Sequence, residues 1–102
     1  MAENKPQPVG DDAFEEKVTN SEGITVVDFW APWCGPCLHM APALDSFAES
    51  NADKVKVYKV DVDESPKTAQ KFEIRSIPTV IFFRDGEPAD VSIGAASESA
   101  LQ

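Results

Sequence analysis

The chain holds only two cysteines, and they lie three positions apart in the segment Trp33-Cys34-Gly35-Pro36-Cys37. A bridge between them would close a loop of about four residues, which restricts the unfolded chain less than a long-loop bridge would. Two cysteines are also too few for the disulfide framework of a small secreted domain. The pair is therefore better explained by thiol chemistry than by a structural role.

The residues on either side of the pair predict a strand before it and a helix after it. The segment 24–30 is β-branched, aromatic and almost continuously apolar, which predicts a central strand that is covered on both faces. From Cys37 to Ala48 the apolar residues recur every three or four positions, which predicts a helix from the cysteines to about Ser50. Pro42 predicts a kink in this helix.

Further elements are predicted on both sides of this unit. They are a first helix at about 11–20, with Asp12 and Glu15 at capping-box spacing, an alternating strand at 55–62, a short helix from Ser65-Pro66 to Phe72, and strands at 79–83 and 89–93 joined by an Asp85-Gly86 turn. Strands alternate with helices before a final antiparallel hairpin. We therefore predict an α/β fold with a mixed central sheet of four to five strands and helices on both faces.

Length and charge narrow the class of protein. The 102 residues fit one domain, 1–102, in which residues 1–5 form a flexible lead-in. A net charge of −9 disfavours nucleic acid and anionic membrane partners, because it repels phosphate groups. The first residues lack the apolar region of a signal peptide, and no apolar run reaches the roughly 18 residues that span a bilayer. We expect a soluble cytoplasmic protein.

The position of the pair at a helix N-terminus predicts unequal roles for the two cysteines. Half ionisation of a thiol at neutral pH requires about 2 kcal/mol, and a helix terminus typically supplies about 0.3–1 kcal/mol, so hydrogen bonding from Cys37 is expected to contribute. Cys34 lies at the tip and is predicted to be the nucleophile. Cys37 lies one turn in and more shielded, and is predicted to resolve the mixed disulfide.

Asp28 is the anomaly in the predicted central strand. A buried carboxylate is costly unless it is paired, so we expect a raised pKa and a role in accepting the proton of Cys37. Lys59, on the neighbouring strand, is the partner predicted for Asp28. The alternative is a structural carboxylate with no part in the chemistry.

A zinc site is the main alternative for a Cys-x-x-Cys pair. The chain has no further cysteines, and its only histidine, His39, is two residues from Cys37 and not at the usual ligand spacing. No metal is therefore predicted, and His39 is expected to be an exposed helix residue. Of the two tryptophans, Trp30 is expected in the core and Trp33 on a contact surface.

Over nearly its whole length the sequence resembles the thioredoxin family. The resemblance is carried by the run Val27-Asp28-Phe29-Trp30-Ala31-Pro32-Trp33-Cys34-Gly35-Pro36-Cys37, by Ala41-Pro42 and Lys59-Val60-Asp61, by Ile74-Arg75-Ser76-Ile77-Pro78-Thr79, and by Gly94. It implies a cis peptide before Pro78, packed against the cysteines. It also implies a substrate groove framed by six residues, which are Trp33, Gly35, Pro36, Ile77, Pro78 and Gly94.

The resemblance has further implications for partners and cofactors. Asp28 and Lys59 match the family's buried acid and its neighbour. Electrons are expected from a separate reductase, usually NADPH-dependent and flavin-containing, so the chain should need no cofactor of its own. Disulfide-containing proteins are the expected substrates.

The sequence also departs from the family in three places. Ser76 stands where many members have glycine, and Leu38-His39 follows Cys37 where lysine is frequent. Only residues 97–102 follow Gly94-Ala95-Ala96, where the family usually has a full final helix, so we expect a short or truncated helix there. Lowered stability, or an apolar patch covered by a second copy, would follow; a monomer is expected, with a dimer or domain swapping as the alternative.

The predicted function is that of a dithiol–disulfide oxidoreductase that reduces protein disulfides. Gly35 and Pro36 add no cation to stabilise the thiolate further, which favours a reductant over an oxidase or isomerase of the same fold. A redox-inert module that binds a partner protein through the groove is the alternative from another class.

Overall fold

The computed structural model describes residues 5–94 of the chain. In order, the elements are β1 (Gln7–Pro8), α1 (Asp11–Phe14, which continues as a π-helical turn over Glu15–Thr19), β2 (Ile24–Trp30), α2 (Gly35–Ser50), β3 (Val55–Asp61), α3 (Pro66–Lys71), β4 (Thr79–Arg84) and β5 (Glu87–Ile93). No helix within these residues is long and apolar enough to cross a membrane. The predictions for the final helix and for the patch it leaves fall outside the described residues.

The five strands form one mixed sheet in the order β1-β3-β2-β4-β5. β1, β3 and β2 are parallel, whereas β4 runs antiparallel to both β2 and β5. The predicted α/β fold with a mixed sheet is confirmed. Because β2 has a neighbour on each edge and a packed layer on each face, residues 25–29 are buried, as its apolar sequence predicts.

Alternate residues of the central strands enter two separate cores. On one face Phe14 of α1 packs with Phe29 and Phe83, and the Phe72 ring lies 5.3–6.1 Å from all three. On the other face Val26 packs against side chains of α2, which are Met40, Leu44, Phe47 and Ala48. The predicted placement of helices on both faces is therefore confirmed, and among residues 5–94 α2 is the helix that packs on the face to which Val26 points.

The start of α1 differs from the prediction. Its N-cap is Gly10, which has no side chain to bind the free amides, so the predicted capping box of Asp12 and Glu15 is wrong. Asp11, in the first turn, points to another helix. Its Oδ1 accepts hydrogen bonds from the amide of Thr68 at 2.8 Å and from the hydroxyl of Thr68 at 2.6 Å.

This cross-helix contact also explains the start of α3. Ser65 is the N-cap and Pro66 the first helical residue, as predicted, but the Ser65 side chain binds no amide of the helix. The Asp11 carboxylate takes that place, since it also accepts a hydrogen bond from the Lys67 amide at 3.2 Å. A carboxylate fifty-six positions upstream therefore caps α3 and ties it to α1.

Candidate active site

Cys34 and Cys37 form a disulfide at the start of α2, with their Cα atoms 5.2 Å apart. Cys34 is the N-cap of the helix and keeps an extended backbone, φ −88° and ψ 104°, because the strand has ended but the helix has not yet begun. Pro36 fits the first turn, where the amide it lacks would have no helical partner. The local sequence thus places the first sulfur at the helix terminus.

The sulfur of Cys34 accepts a hydrogen bond from the backbone amide of Cys37 at 3.1 Å. In the reduced chain this amide and the positive end of the helix dipole both favour a thiolate at Cys34. The hydrogen bond from Cys37 that was predicted to favour ionisation of Cys34 is therefore donated by the backbone amide of Cys37. A buried N–H aimed at one sulfur makes the two cysteines inequivalent.

Exposure does not distinguish the two cysteines. Cys34 is 4% exposed and Cys37 is 3% exposed, so the two residues are almost equally buried and the greater shielding expected for Cys37 stays a prediction. The loop before α2 folds back, with the Cys34 amide donating to the Ala31 carbonyl at 3.1 Å. Trp30, Val62 and Ile77 pack against the cluster that contains both cysteines. The asymmetry lies in hydrogen bonding and in position along the helix.

Asp28 lies in the middle of β2 and is 2% exposed. Val26, two residues earlier, packs against α2, so Asp28 points into the same layer as the cysteine-bearing helix. Its Oδ1 atom has no hydrogen-bond partner within residues 5–94. Burial raises the pKa of Asp28 from 3.8 to about 7, against a smaller opposite effect of the positive charge on Lys59. The expected rise is confirmed.

Lys59 lies directly opposite Asp28 in the parallel pairing of β2 with β3. Its ammonium nitrogen, however, sits over the ring of Trp30, 4.3 Å from the centroid. Within the described part of the chain the one ion pair closer than 4.0 Å joins Arg75 to Glu73. Lys59 is thus beside Asp28, as predicted. Its ammonium group, however, contacts the Trp30 ring and forms no contact ion pair with the Asp28 carboxylate.

The loop before β4 approaches the disulfide from the other side. The peptide bond between Ile77 and Pro78 is cis, as the resemblance implies. The Ile77 carbonyl oxygen lies 3.9 Å from the sulfur of Cys34, and the Pro78 ring is fully buried. The Gly94 amide donates to the Pro78 carbonyl at 2.8 Å. A loop about forty positions downstream therefore lies against Cys34, and Gly94, about sixty positions downstream, is bonded to that loop.

The groove residues differ in what they can offer to a bound peptide. Trp33 is 68% exposed, and Gly35 and Pro36 are exposed beside it, whereas Ile77 and Gly94 are half-buried. The Pro78 carbonyl is occupied by Gly94. The backbone N–H and C=O of Ile77 have no backbone partner within residues 5–94, so these groups can pair with an extended substrate.

Asp63 is a site residue that sequence reasoning missed. Its Oδ2 atom accepts a hydrogen bond of 2.6 Å from the indole Nε1 of Trp33. The Asp63 amide in turn donates to Oδ1 of Asp61 at 2.9 Å. A usable signal existed: β2 and β3 are parallel, so the loops that follow them leave the same edge of the sheet, and Asp63 lies two residues beyond the end of β3.

Metal ligands are not gathered at this site. Within residues 5–94 no group of three or more His, Cys, Asp or Glu side chains is close enough to hold an ion. His39 is exposed on α2, as expected.

Fold and site together define the class of the chain: an α/β domain with a Cys-x-x-Cys disulfide at the start of a crossover helix and a cis-proline loop against it. The chain belongs to the thioredoxin family, whose family model matches residues 5–102. The sequence resemblance is confirmed at the level of the family.

Individual relatives agree with this assignment. The chain is 52% identical over 100 residues to a protein named "Thioredoxin M-type, chloroplastic" from Pisum sativum, which covers 98% of the chain and 58% of that protein. It is 47% identical to "Thioredoxin" from Rhodospirillum rubrum, over 91% of the chain and 89% of the relative. With "Thioredoxin 1" from Synechococcus elongatus the identity is 46%, over 91% and 87%. The chain thus spans little more than half of the plastid relative and most of the bacterial ones.

Proposed function

We propose that this chain is a protein dithiol–disulfide oxidoreductase that reduces disulfides of other proteins through its Cys34–Cys37 pair. The observation that carries the proposal is the amide of Cys37, which donates to the sulfur of Cys34 at the N-terminus of α2. Beside it lies the backbone of Ile77, which has no backbone hydrogen-bond partner within residues 5–94. This arrangement favours a thiolate at one sulfur and can hold a peptide against it.

In the first step the Cys34 thiolate attacks one sulfur of the substrate disulfide. A bond forms between Cys34 and that sulfur, the substrate S–S bond breaks, and the other substrate sulfur leaves as a thiolate that takes up a proton. The Ile77 backbone groups and the exposed Trp33 ring are suited to hold the substrate segment on which the attacked sulfur lies.

In the second step Cys37 resolves the mixed disulfide. Its thiol loses a proton to the Asp28 carboxylate, directly or through a water molecule, and the resulting thiolate attacks the sulfur of Cys34. The Cys34–Cys37 bond forms, the bond between Cys34 and the attacked substrate sulfur breaks, and that sulfur leaves as a thiolate that takes up a proton. A carboxyl whose pKa is about 7 suits this role, because at neutral pH it can both accept and return the proton.

Two electrons and two protons restore the dithiol after each cycle. We expect them from a separate reductase that is NADPH-dependent and contains flavin, with no cofactor bound to this chain. Disulfide-containing proteins are the proposed substrates.

The test is reduction of insulin disulfides, followed by turbidity, with dithiothreitol and then with NADPH and a thioredoxin reductase. The unmodified chain should accelerate both reactions, and Cys34→Ser should abolish the acceleration. Cys37→Ser should instead accumulate a mixed disulfide with the substrate, visible as an added mass. No acceleration by the unmodified chain, together with biological activity that is kept when both cysteines are replaced by serine, would overturn the proposal in favour of a redox-inert binding module.

Location is proposed separately. The cytoplasm stays the prediction from the sequence, and two relatives whose names read chloroplastic make the chloroplast the alternative. Immunolocalisation in the source cell separates the two.

A further inference from the structure

The Lys59 side chain lines a cleft whose Trp30 wall also packs against the cluster that holds the two cysteines. The cleft has a volume of about 250 Å³ and is lined by Trp30, Lys59, Asp61 and Glu64, together with residues of the β1 end and Ser65. Lys59 and Trp30 are both half-buried, and the ammonium nitrogen lies 4.3 Å from the centre of the indole. Partial removal from water strengthens the attraction between a cation and the face of a ring.

The carboxyl of Asp28 is the second group with which the Lys59 ammonium could interact. Asp28 and Trp30 are two residues apart on β2, so their side chains leave the same face of the sheet. On the neighbouring strand β3, Lys59 is paired with Asp28, whereas Asp61 is paired with Trp30. The lysine side chain therefore leans along the strand to the ring and does not reach straight across to the carboxyl opposite it.

We propose that Trp30 is a positioning residue that holds the Lys59 ammonium on its ring and so keeps it out of a contact ion pair with Asp28. The inference rests on the proposed function only in that Asp28 is there the proton acceptor. A carboxyl in contact with a cation would have a lower pKa and would hold an accepted proton less readily at neutral pH. The indole competes with the carboxylate for the lysine, and the carboxyl remains able to exchange its proton.

Other charged groups around Asp28 do not explain the position of Lys59. From β3 the neighbouring acid is Asp61, and Glu64 lines the cleft, yet neither forms an ion pair with Lys59 below 4.0 Å in the part of the chain that the structure describes. From β4 the residue opposite Asp28 is Val80, which is apolar and buried. From α2 the groups facing this layer are the two cysteines, and His39 is exposed. The indole is the contact that remains.

The experiment measures the pKa of the Asp28 carboxyl by carbon-13 NMR in the oxidised protein, where neither cysteine titrates. Trp30→Leu removes the ring, and Trp30→Phe keeps a ring that attracts cations less strongly. We expect the Asp28 pKa to fall by about 0.5–1 unit in Trp30→Leu and by less in Trp30→Phe. The Phe variant tests the sign of the shift even where the Leu variant fails to fold.

A second background separates the lysine from other effects of the substitution. In Lys59→Met the same Trp30→Leu change should leave the Asp28 pKa unaltered, because no ammonium remains to be released. An equal fall in both backgrounds would show that the ring acts by excluding water, and it would overturn the proposal. An unchanged or raised Asp28 pKa in Trp30→Leu with Lys59 present would overturn it as well.

This titration does not depend on the activity of the chain, so it fails or succeeds separately from the proposed function. A parallel measurement of the pH dependence of mixed-disulfide resolution tests the role of Asp28 instead. If Trp30→Leu lowers the Asp28 pKa while the resolution profile does not move, the positioning role stands and the proton-acceptor role of Asp28 falls.

Discussion

The indole nitrogen of Trp33 donates a 2.6 Å hydrogen bond to the carboxylate of Asp63, thirty positions downstream. Both residues are exposed, yet the contact fixes the orientation of the largest exposed ring beside Cys34. A ring held in one orientation presents the same face to every substrate, with less conformational entropy to lose on binding. Asp63 is therefore expected to affect binding more than the chemical step.

Replacing Asp63 by alanine should raise the KM for a protein disulfide about two- to tenfold, because it removes one hydrogen bond, with little change in kcat. Asp63→Asn keeps an oxygen acceptor and should fall between the alanine variant and the unmodified chain. Glu64→Ala removes a neighbouring exposed carboxylate without touching the indole, so it controls for charge. A KM equally raised in Glu64→Ala would assign the effect to charge and not to Trp33.

The buried Asp28 carboxyl makes the folded state less stable as the pH rises. Its pKa is about 7 in the folded chain against a usual 3.8, so folding takes up a proton between these values, and stability falls from about pH 4 to about pH 7. Asp28→Asn should therefore raise the free energy of unfolding by about 2–4 kcal/mol at pH 8. The gain should vanish below about pH 4, where the carboxyl is protonated in both states.

Urea unfolding of both proteins at several pH values measures this difference. Asp53→Asn, at an exposed position, serves as control and should change the free energy of unfolding by less than about 0.5 kcal/mol at every pH. A gain for Asp28→Asn that is the same at pH 4 and pH 8 would contradict the assignment to the buried charge.

The Asp11 carboxylate should stabilise the fold through its bonds to the start of α3. Hydrogen bonds from Thr68 outweigh partial burial and lower the pKa of Asp11 below 3.8. Asp11→Ala should therefore reduce the melting temperature by several degrees at neutral pH. The difference should be complete above about pH 4 and disappear as the pH falls through the lowered folded-state pKa.

Asp12→Ala is the matched control, since Asp12 is exposed in the same turn of α1. Thermal unfolding followed by circular dichroism compares the two variants. Equal losses would mean that the negative charge at the start of α1, and not the contact with α3, stabilises the fold.

Gly86, in the turn between β4 and β5, should not tolerate a side chain. Its φ is +87°, and a Cβ there would overlap the backbone carbonyl of Thr19. Gly23 has a similar φ of +79° but open space around it, so it isolates the backbone effect from the overlap. We expect Gly23→Ala to cost about 1–2 kcal/mol of unfolding free energy and Gly86→Ala about 2–4 kcal/mol. Equal costs in chemical denaturation would contradict the overlap.

The elements around the cysteines could be predicted from local sequence. The strand at 24–30 was predicted with its observed bounds, and the helix to Ser50 begins at Gly35, directly after the predicted start. Both depend on apolar periodicity and on the break at Pro32, which nearby residues determine. The direction of the Asp28 pKa shift could be predicted for the same reason. A carboxyl within a buried strand loses contact with water whatever its partners are, and this raises its pKa.

Contacts between distant positions could not be predicted in this way. Asp11 caps a helix that begins more than fifty positions later, and Asp63 binds an indole thirty positions earlier. Lys59 was correctly predicted to lie beside Asp28. A strand register fixes only the backbone, however, and the rotamer of a long side chain depends on which neighbouring group attracts it more strongly, here the Trp30 ring. The near-equal burial of the two cysteines likewise depends on distant residues, because Val62 and Ile77 pack against them.

The bond from the Gly94 amide to the Pro78 carbonyl matters to anyone who tethers this protein to a bead, an electrode or a fluorophore. A load applied at Gly94, at the end of β5, acts through one hydrogen bond on the loop that faces Cys34. A load applied before β1 acts on the opposite edge of the sheet. The choice of attachment end therefore decides whether a single-molecule measurement reads the undisturbed thiol chemistry or the chemistry under tension.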